Sequence, residues 1–465
     1  MAAESDALDG VDIAIVGGGA AGVLVAIRLL ADSDSRLRIA IIEPASALAR
    51  GAAYATTQAE HLLNVPVSGM SALAEDSGHF LRHLSDSGES SDVTGMADSF
   101  VARRDYGRYL RDTLQAQPRH ADLCWLRDQV VDIGRGDAGN LLQLASGRTL
   151  TARAVVLAVG NMPRLIPASR LRGEVRLVEA WDYPAVTAIP RTADVCIIGS
   201  GLSMVDAVLG LVHAGHRGRI RVLSRHGLMP LEHARPGAGQ ASLGELASLD
   251  LRARLRRVRS LVREAVAAGE PWQWVFDRLR PYGQLLWTSL GHAEQRRFLR
   301  HVVRYWDIHR HRIAPQVAAT LDGLRENGRL EVVAGRMLVA TAQPDGSVEV
   351  TCLPRHEDEV RTLRADWLIN ATGVETHVDL RPDTLLGALR IRGRLLPGPH
   401  GIGIASEGPG CVFDARGVAD PTLLVLGAMR IGSLWESIAI PELRVQAQAI
   451  AAHVRGLLGE TAGDV

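Results

Sequence analysis

Short, nearly unbroken apolar runs alternate along this chain with longer stretches in which apolar positions return every third or fourth residue. The runs include Ile13-Ala14-Ile15-Val16, Ile39-Ala40-Ile41-Ile42, Ala154-Val155-Val156-Leu157-Ala158-Val159 and Val195-Cys196-Ile197-Ile198. Further along come Ile220-Arg221-Val222-Leu223, Leu330-Glu331-Val332-Val333, Val348-Glu349-Val350-Thr351, Trp367-Leu368-Ile369 and Leu423-Leu424-Val425-Leu426. An apolar run with no polar alternation reads as a strand covered on both faces. Its alternation with helical periodicity predicts parallel sheets flanked by helices, an α/β protein. Residues 45–125 leave that rhythm: a Ser/Asp/Gly-rich loop is expected over 85–99 and a helix from about Tyr106, after which strands resume around Val130. A second interruption, rich in arginine and tryptophan and helical in pattern, covers about 240–320.

Two of the predicted strands end in a glycine-rich turn that opens a helical stretch. The first turn reads Gly17-Gly18-Gly19-Ala20-Ala21-Gly22 and the second Gly199-Ser200-Gly201-Leu202-Ser203-Met204, with Met204 where a third small residue is usual. Strand, glycine turn and helix in that order make a dinucleotide seat, because the bare backbone can approach a pyrophosphate whose charge then lies at a helix N-terminus. The residue ending the next strand separates the two seats. Glu43 can accept hydrogen bonds from both hydroxyls of an adenosine ribose and repels a 2′-phosphate, which suits FAD or NAD. Ser224-Arg225 offers a hydroxyl and a planar cation with no acid, the means by which a 2′-phosphate is held. The pair reads as FAD first and NADPH second, on two Rossmann-like doubly wound dinucleotide-binding domains with a helical insertion. The FAD domain is expected over 10–165 and again over 366–465, flanking an NAD(P)H domain over 190–365.

Composition narrows the chemistry. A chain of 465 residues has room for two to three domains, and its zero net charge offers no electrostatic case for nucleic acid or an anionic membrane. No apolar run reaches the roughly 18 residues of a membrane span. The polar stretch Met1 to Asp9 leads directly into the first strand, so no cleavable signal is expected and a cytoplasmic location is. Cys124, Cys196, Cys352 and Cys411 are scattered and form no C-x-x-C pair, which disfavours a dithiol reductase; no spacing of metal ligands is recognisable. All 52 basic residues are arginine, so Schiff-base chemistry and a P-loop lysine are excluded and phosphates must be met by arginine, backbone or hydroxyls.

Several residue strings beyond the turns carry a resemblance. They are Gly51-Ala52-Ala53-Tyr54-Ala55-Thr56, His61-Leu62-Leu63-Asn64-Val65-Pro66, Arg104-Asp105-Tyr106-Gly107-Arg108-Tyr109-Leu110, Ser224-Arg225-His226-Gly227, Arg310-His311-Arg312-Ile313-Ala314-Pro315 and Gly432-Ser433-Leu434-Trp435-Glu436. Through them most of the chain resembles two-dinucleotide-binding flavoproteins, and among these the bacterial FAD/NAD(P)-binding proteins of the YdhS type, which include FAD-dependent urate hydroxylase-like enzymes. The resemblance implies that the His61, Asn64 and Val65 loop lies over the isoalloxazine, with Asn64 bonding its polar edge. It implies that Val130 belongs to the strand beside the adenine and that Tyr54, Gly160, Thr372, Gly373 and Gly427 complete the FAD site. It also implies that a helix after Gly432 aims its N-terminus at the flavin, with Trp435 nearby. One departure stands out. Where related monooxygenases carry F-x-G-x-x-x-H-x-x-x-[FYW], this chain has Leu171, Gly173, Leu177 and Trp181, so the histidine is missing.

A cleft shared by FAD and NADPH performs hydride transfer at the least. With no dithiol and no membrane segment, molecular oxygen is the leading acceptor. The first expectation is therefore an NADPH-dependent monooxygenase that hydroxylates a small polar substrate at nitrogen, sulfur or an activated ring carbon through a flavin hydroperoxide. The alternatives are an NAD(P)H-dependent flavin reductase or oxidase releasing hydrogen peroxide, and a non-enzymatic redox sensor or partner-binding flavoprotein. No catalytic acid or base can be named from spacing. Arg304, Trp306, Arg310 and Arg312 are the candidates for substrate contact, with a solvated helix face and a tryptophan-filled core as the competing explanation.

Overall fold

The computed structural model describes residues 9–32, 36–87, 93–235, 243–378 and 383–459. The chain divides into two units: Met1–Thr57 with Pro66–Asn161 and Thr376–Val465, and Gln58–Val65 with Met162–Glu375.

The first unit opens with β1 (Gly10–Val16), β2 (Ile39–Ile42), β3 (Leu123–Leu126), β4 (Val130–Gly136), β5 (Gly139–Leu144) and β6 (Thr149–Leu157). β1 lies between β2 and β6 and parallel to both, and β3 continues the sheet beyond β2. Ile13, Ala14 and Ile15 have no exposed surface, and every residue of β2 is buried, which is why these runs lack polar alternation. Helix Ala20–Leu30 covers β1 and packs in turn against helices Arg103–Gln115 and Ile440–Leu458, so it is apolar nearly all round. β4, β5 and β6 form an antiparallel meander.

The second unit holds β7 (Met162–Pro163), β8 (Leu171–Arg172), β9 (Leu177–Glu179), β10 (Val195–Ile198), β11 (Ile220–Ser224), β12 (Leu330–Ala342), β13 (Val348–Pro354), β14 (Arg361–Ala365), β15 (Trp367–Asn370) and β16 (Val374–Glu375). Its parallel core runs β12-β11-β10-β15-β9, extended beyond β12 by antiparallel β13 and β14. Between β11 and β12 come helices Leu251–Ala267, Gln273–Leu279, Gly283–Thr288, His292–His301, Val303–Arg310 and Pro315–Glu326, the insertion expected at about 240–320. They enclose a separate small core of Leu243, Leu246, Leu261, Ala265, Val275, Leu279 and Leu286, with Trp274, Phe276 and Trp306 packed against it. The chain then returns to the first unit with β17 (Ser406–Glu407), β18 (Cys411–Phe413) and β19 (Ala419–Val425), and β19 joins the first sheet parallel to β6.

Three boundaries differ from expectation. The sequence places β15 with the returning FAD segment, but it pairs in register with β10, Ile198 opposite Asn370, so residues up to Glu375 belong to the second unit. The second unit also begins earlier than 190, at Met162, because β9 extends its sheet beside β15, and it takes in Gln58–Val65. Within the loop expected over 85–99, helices occupy His79–Asp86 and Val93–Ala97, while residues 88–92 lie outside the described residues.

Candidate functional sites

Each sheet presents its glycine turn at the carboxyl end of a central strand, with the same backbone framework. The Gly17 N–H donates to the carbonyl of Ile42 at 2.9 Å, and the Gly199 N–H donates to that of Leu223, also at 2.9 Å. Gly17 has φ +105, and a Cβ there would stand 2.4 Å from the Ala158 carbonyl oxygen; Gly199 has φ +109 and the corresponding distance, to Ala371, is 2.1 Å. No side chain fits either position, so both turns leave bare backbone facing outward. The helices that follow, Ala20–Leu30 and Leu202–His213, are capped by Gly19 and Gly201 with no side-chain hydrogen bond and have no acid in their first turns. Their leading N–H groups are therefore left for an anionic ligand.

In the first unit the structure brings Gly17, Gly19, Ala20, Ala21, Gly22, Glu43, Gly160 and Gly427 to the carboxyl edge formed by β1, β2, β6 and β19. Glu43 already has work there. Its carboxylate accepts from the Gly18 N–H at 2.8 Å and the Ala45 N–H at 3.0 Å, fixing the turn while leaving lone pairs for ribose hydroxyls. Tyr54 ends the short helix Gly51–Tyr54 and packs its ring, tilted, against that of Tyr106 at 5.0 Å; burial pushes its phenol well above the usual range, so it stays neutral. The Gly427 N–H donates to Gln446 at 3.1 Å. Val130 is buried at the start of β4, whereas the strand directly beside β2 is β3, whose Leu126 carbonyl accepts from the Glu43 N–H at 3.0 Å. The helix expected after Gly432 is only one turn, Ile431–Leu434, and Trp435 follows it with φ +64, a conformation that non-glycine residues rarely hold. The long helix begins later, at Ile440.

Five residues expected at the FAD site belong to the second unit. His61 has no exposed surface: its Nε2 is 3.0 Å from the Asp206 carbonyl and its ring lies 4.9 Å from that of Tyr183, so it anchors its segment instead of meeting a cofactor. Val65 is buried, and the Asn64 carbonyl is bonded by His233 Nε2 at 3.0 Å. Thr372 and Gly373 follow β15 beside the second glycine turn. The Thr372 N–H and hydroxyl both donate to Asn370 Oδ1, at 3.1 and 2.8 Å.

Around the second turn, the Ser200 hydroxyl is 2.8 Å from that of Ser224 and donates to the Leu228 carbonyl at 2.5 Å, while the Gly227 N–H donates to Ser224 at 3.1 Å. Ser200 and Ser224 thus brace the turn, and Arg225 beyond them makes no ion pair or hydrogen bond among the described residues. Gly201 and Leu202 open the helix, and Ser203 accepts a hydrogen bond from Trp181 Nε1 at 3.0 Å. That bond gives the surviving aromatic of the altered monooxygenase motif a structural role. Met204 is fully buried in the helix face.

The four substrate candidates do not form one cluster. Trp306 packs in the small helical core, 6.0 Å from Phe276 and 6.2 Å from Phe298. Arg312 is 3% exposed and pairs with Asp277 and, at 6.0 Å, with the Trp272 ring. Arg310 is buried. His233 lies near these arginines, and burial, followed by Arg312, lowers its pKa to about 4. Arg304 lies apart, paired with Asp307 at 3.1 Å on the exposed side of its helix. His233 went unnoticed in the sequence because it sits in no spacing that marks a site.

Comparisons with known proteins agree with this architecture. Residues 14–162 match a family model described as FAD-NAD(P)-binding. No curated protein sequence matches the chain. Among solved structures, the ornithine N-hydroxylase of Kutzneria sp. 744, in a state with reduced FAD, NADP+ and L-ornithine, superposes with a TM-score of 0.68 at 16% identity, covering 97% of this chain and 100% of its own. The reduced ornithine hydroxylase of Pseudomonas aeruginosa gives 0.65 at 18% identity, covering 96% and 99%. The bacillithiol disulfide reductase of Bacillus cereus gives 0.54 at 15% identity, covering 96% and 99%. The chain shares the fold of these proteins over 96–97% of its length.

Proposed function

We propose that this chain is an FAD-dependent, NADPH-consuming monooxygenase that hydroxylates a nitrogen atom of a small polar substrate. The observation that carries the reading is the pair of bare glycine turns whose neighbouring strands end oppositely, in Glu43 and in Arg225, on a fold shared with N-hydroxylating enzymes over nearly the whole of both chains. The residues fit the two cofactors. The turn Gly17–Gly22 and the helix it opens would hold the pyrophosphate of FAD, and Glu43 the adenosine ribose. Gly199 to Ser203 would hold the nicotinamide dinucleotide, with Arg225 at its 2′-phosphate. FAD, when bound, supplies acceptance of the nicotinamide hydride and activation of oxygen. The chain's part is to bind and align the two nucleotides, since no acid or base of its own is assigned a proton.

The finer resemblance to YdhS-type proteins, carried by strings such as Gly51 to Thr56 and Gly432 to Glu436, supports a second reading with the same two cofactors, hydroxylation at an activated ring carbon, and adds urate-like rings to the substrates worth testing. The test is stoichiometry: FAD-loaded protein is supplied with NADPH, oxygen and a panel of ornithine, lysine, cadaverine and urate. One substrate giving hydroxylated product in proportion to NADPH consumed supports the proposal. Hydrogen peroxide matching NADPH for every compound favours the reductase or oxidase reading, to which the fold likeness with a disulfide reductase also points.

A further inference from the structure

The carboxyl edge of the second sheet gathers cations from three separated parts of the chain. β11 ends at Ser224, whose partner on β12 is Ala334. Arg355 follows β13, and its backbone N–H donates to the Ala334 carbonyl at 2.8 Å, which sets it beside the end of β11. Gly227, with φ +63, turns the chain closely over Ala334, its Cβ position 3.1 Å from the Ala334 side chain. From there the chain reaches Leu231, whose N–H donates at 3.3 Å to the carbonyl of Ile308, one helical turn beyond Arg304. Arg225, His226, Arg304 and Arg355 are in this way drawn to one surface.

The opposing acids are Asp307, Glu375 and the exposed Glu357, Asp358 and Glu359 that follow Arg355, none of the last three paired with it among the described residues. Asp307 pairs with Arg304 at 3.1 Å, and Glu375 lies 3.7 Å from the neighbouring Arg164. Arg225 and Arg355 make no ion pair or side-chain hydrogen bond among the described residues, and His226 Nδ1 is buried with no partner there. The electrostatics reflect this crowding. Burial, then Arg355, Arg225 and Arg304, hold the His226 pKa below the usual histidine range, and burial, then Arg304 and Arg164, lower that of Arg225. An ordinary solvated charge run lies on one helix and carries interleaved acids. Here three distant segments converge with like charge, which costs free energy unless a multiply charged anion lies among them.

We propose that Arg304, supplied by the helical insertion, joins Arg225, His226 and Arg355 in holding the 2′-phosphate of an adenosine ribose. The insertion, and not the dinucleotide fold alone, then sets the preference for NADPH over NADH. This rests on the reading of the second unit as the nicotinamide nucleotide domain, and it moves Arg304 from the substrate to the coenzyme.

The experiment is calorimetric titration of the full-length, FAD-loaded protein with 2′,5′-ADP and with 5′-ADP, which need no turnover. The unaltered protein is expected to favour 2′,5′-ADP by at least about tenfold. Arg304→Gln and Arg355→Gln should each weaken 2′,5′-ADP by about tenfold, the loss of one charge-assisted phosphate contact, and leave 5′-ADP unchanged. Arg297→Gln, an exposed arginine on another helix of the insertion, should alter neither. The inference is overturned if Arg225→Gln weakens 2′,5′-ADP while Arg304→Gln does not, or if Arg304→Gln weakens both ligands equally. An unaltered protein that binds the two ligands alike instead defeats the underlying NADPH reading, before any variant is made.

Discussion

Gly199→Ala offers a sharp separation of the two nucleotide seats. The new methyl group would be 2.1 Å from the Ala371 carbonyl oxygen, whereas an unstrained carbon to oxygen contact is about 3.3 Å, so the end of β15 would have to retreat by about 1 Å. That retreat pulls on the Ala371 N–H bond to the Ile198 carbonyl, now 2.9 Å, at the centre of the second sheet. Holding alanine at φ +109 costs about 1–3 kcal/mol, and overpacking a tight site costs about the same again. A loss of about 2–6 kcal/mol is a large share of a domain's stability of roughly 5–15 kcal/mol. The variant should therefore unfold its second unit at least about 4 °C earlier by calorimetry and bind 2′,5′-ADP more than about tenfold more weakly. FAD content, read from the flavin absorbance of the purified protein, should match that of the unaltered chain, because Gly17 and Glu43 belong to the first unit. Wild-type affinity for 2′,5′-ADP, or loss of FAD with no change in that affinity, would refute the assignment of the second turn.

Two further outcomes follow from buried charge in the second unit. Asp277→Asn leaves the 3%-exposed Arg312 without its carboxylate and, because the Asp277 side chain is itself half exposed and screened by water, should cost about 1–2 kcal/mol in chemical denaturation; adding Arg312→Met should restore most of that stability, and a double variant no better than the single would argue against the pair. His233 has a folded pKa of about 4 against about 6.5 unfolded, so the unfolded chain takes up its proton first as pH falls. Its contribution is complete above about pH 6.5 and is lost as pH drops towards 4, at up to about 1.4 kcal/mol per pH unit. Melting temperatures measured across that window should fall less steeply for His233→Gln, and parallel curves would exclude His233 as a source of the slope.

The central sheets were legible because burial on both faces forces unbroken apolar runs, and β1, β2, β10 and β11 lie where those runs fall. The turns were legible for a related reason, since only glycine tolerates a carbonyl 2.1 to 2.4 Å from its Cβ position. Which sheet a strand joins was not. β15 reads the same whichever neighbour it pairs with, and its place beside β10 is decided by register across the chain, invisible in local pattern. His61 shows the same limit: a polar residue in a matching string suggested a cofactor contact, while long-range packing closed it against the Asp206 carbonyl. Arg355 and Arg304 carry no motif at all; tertiary pairing alone brings them near Arg225.

The short ribbon formed by β7 and β16, Met162 opposite Glu375 and Pro163 opposite Val374, has a consequence for ancestry. The 162–375 stretch starts and finishes on adjacent strands, so it takes up no more of the remaining polypeptide than a hairpin bend would. Insertion at two neighbouring points is the condition under which one domain is most readily spliced into another, and the Gln58–Val65 segment, bonded to the insert through His61 and the Asn64 carbonyl, is then an adaptation of the host chain to it.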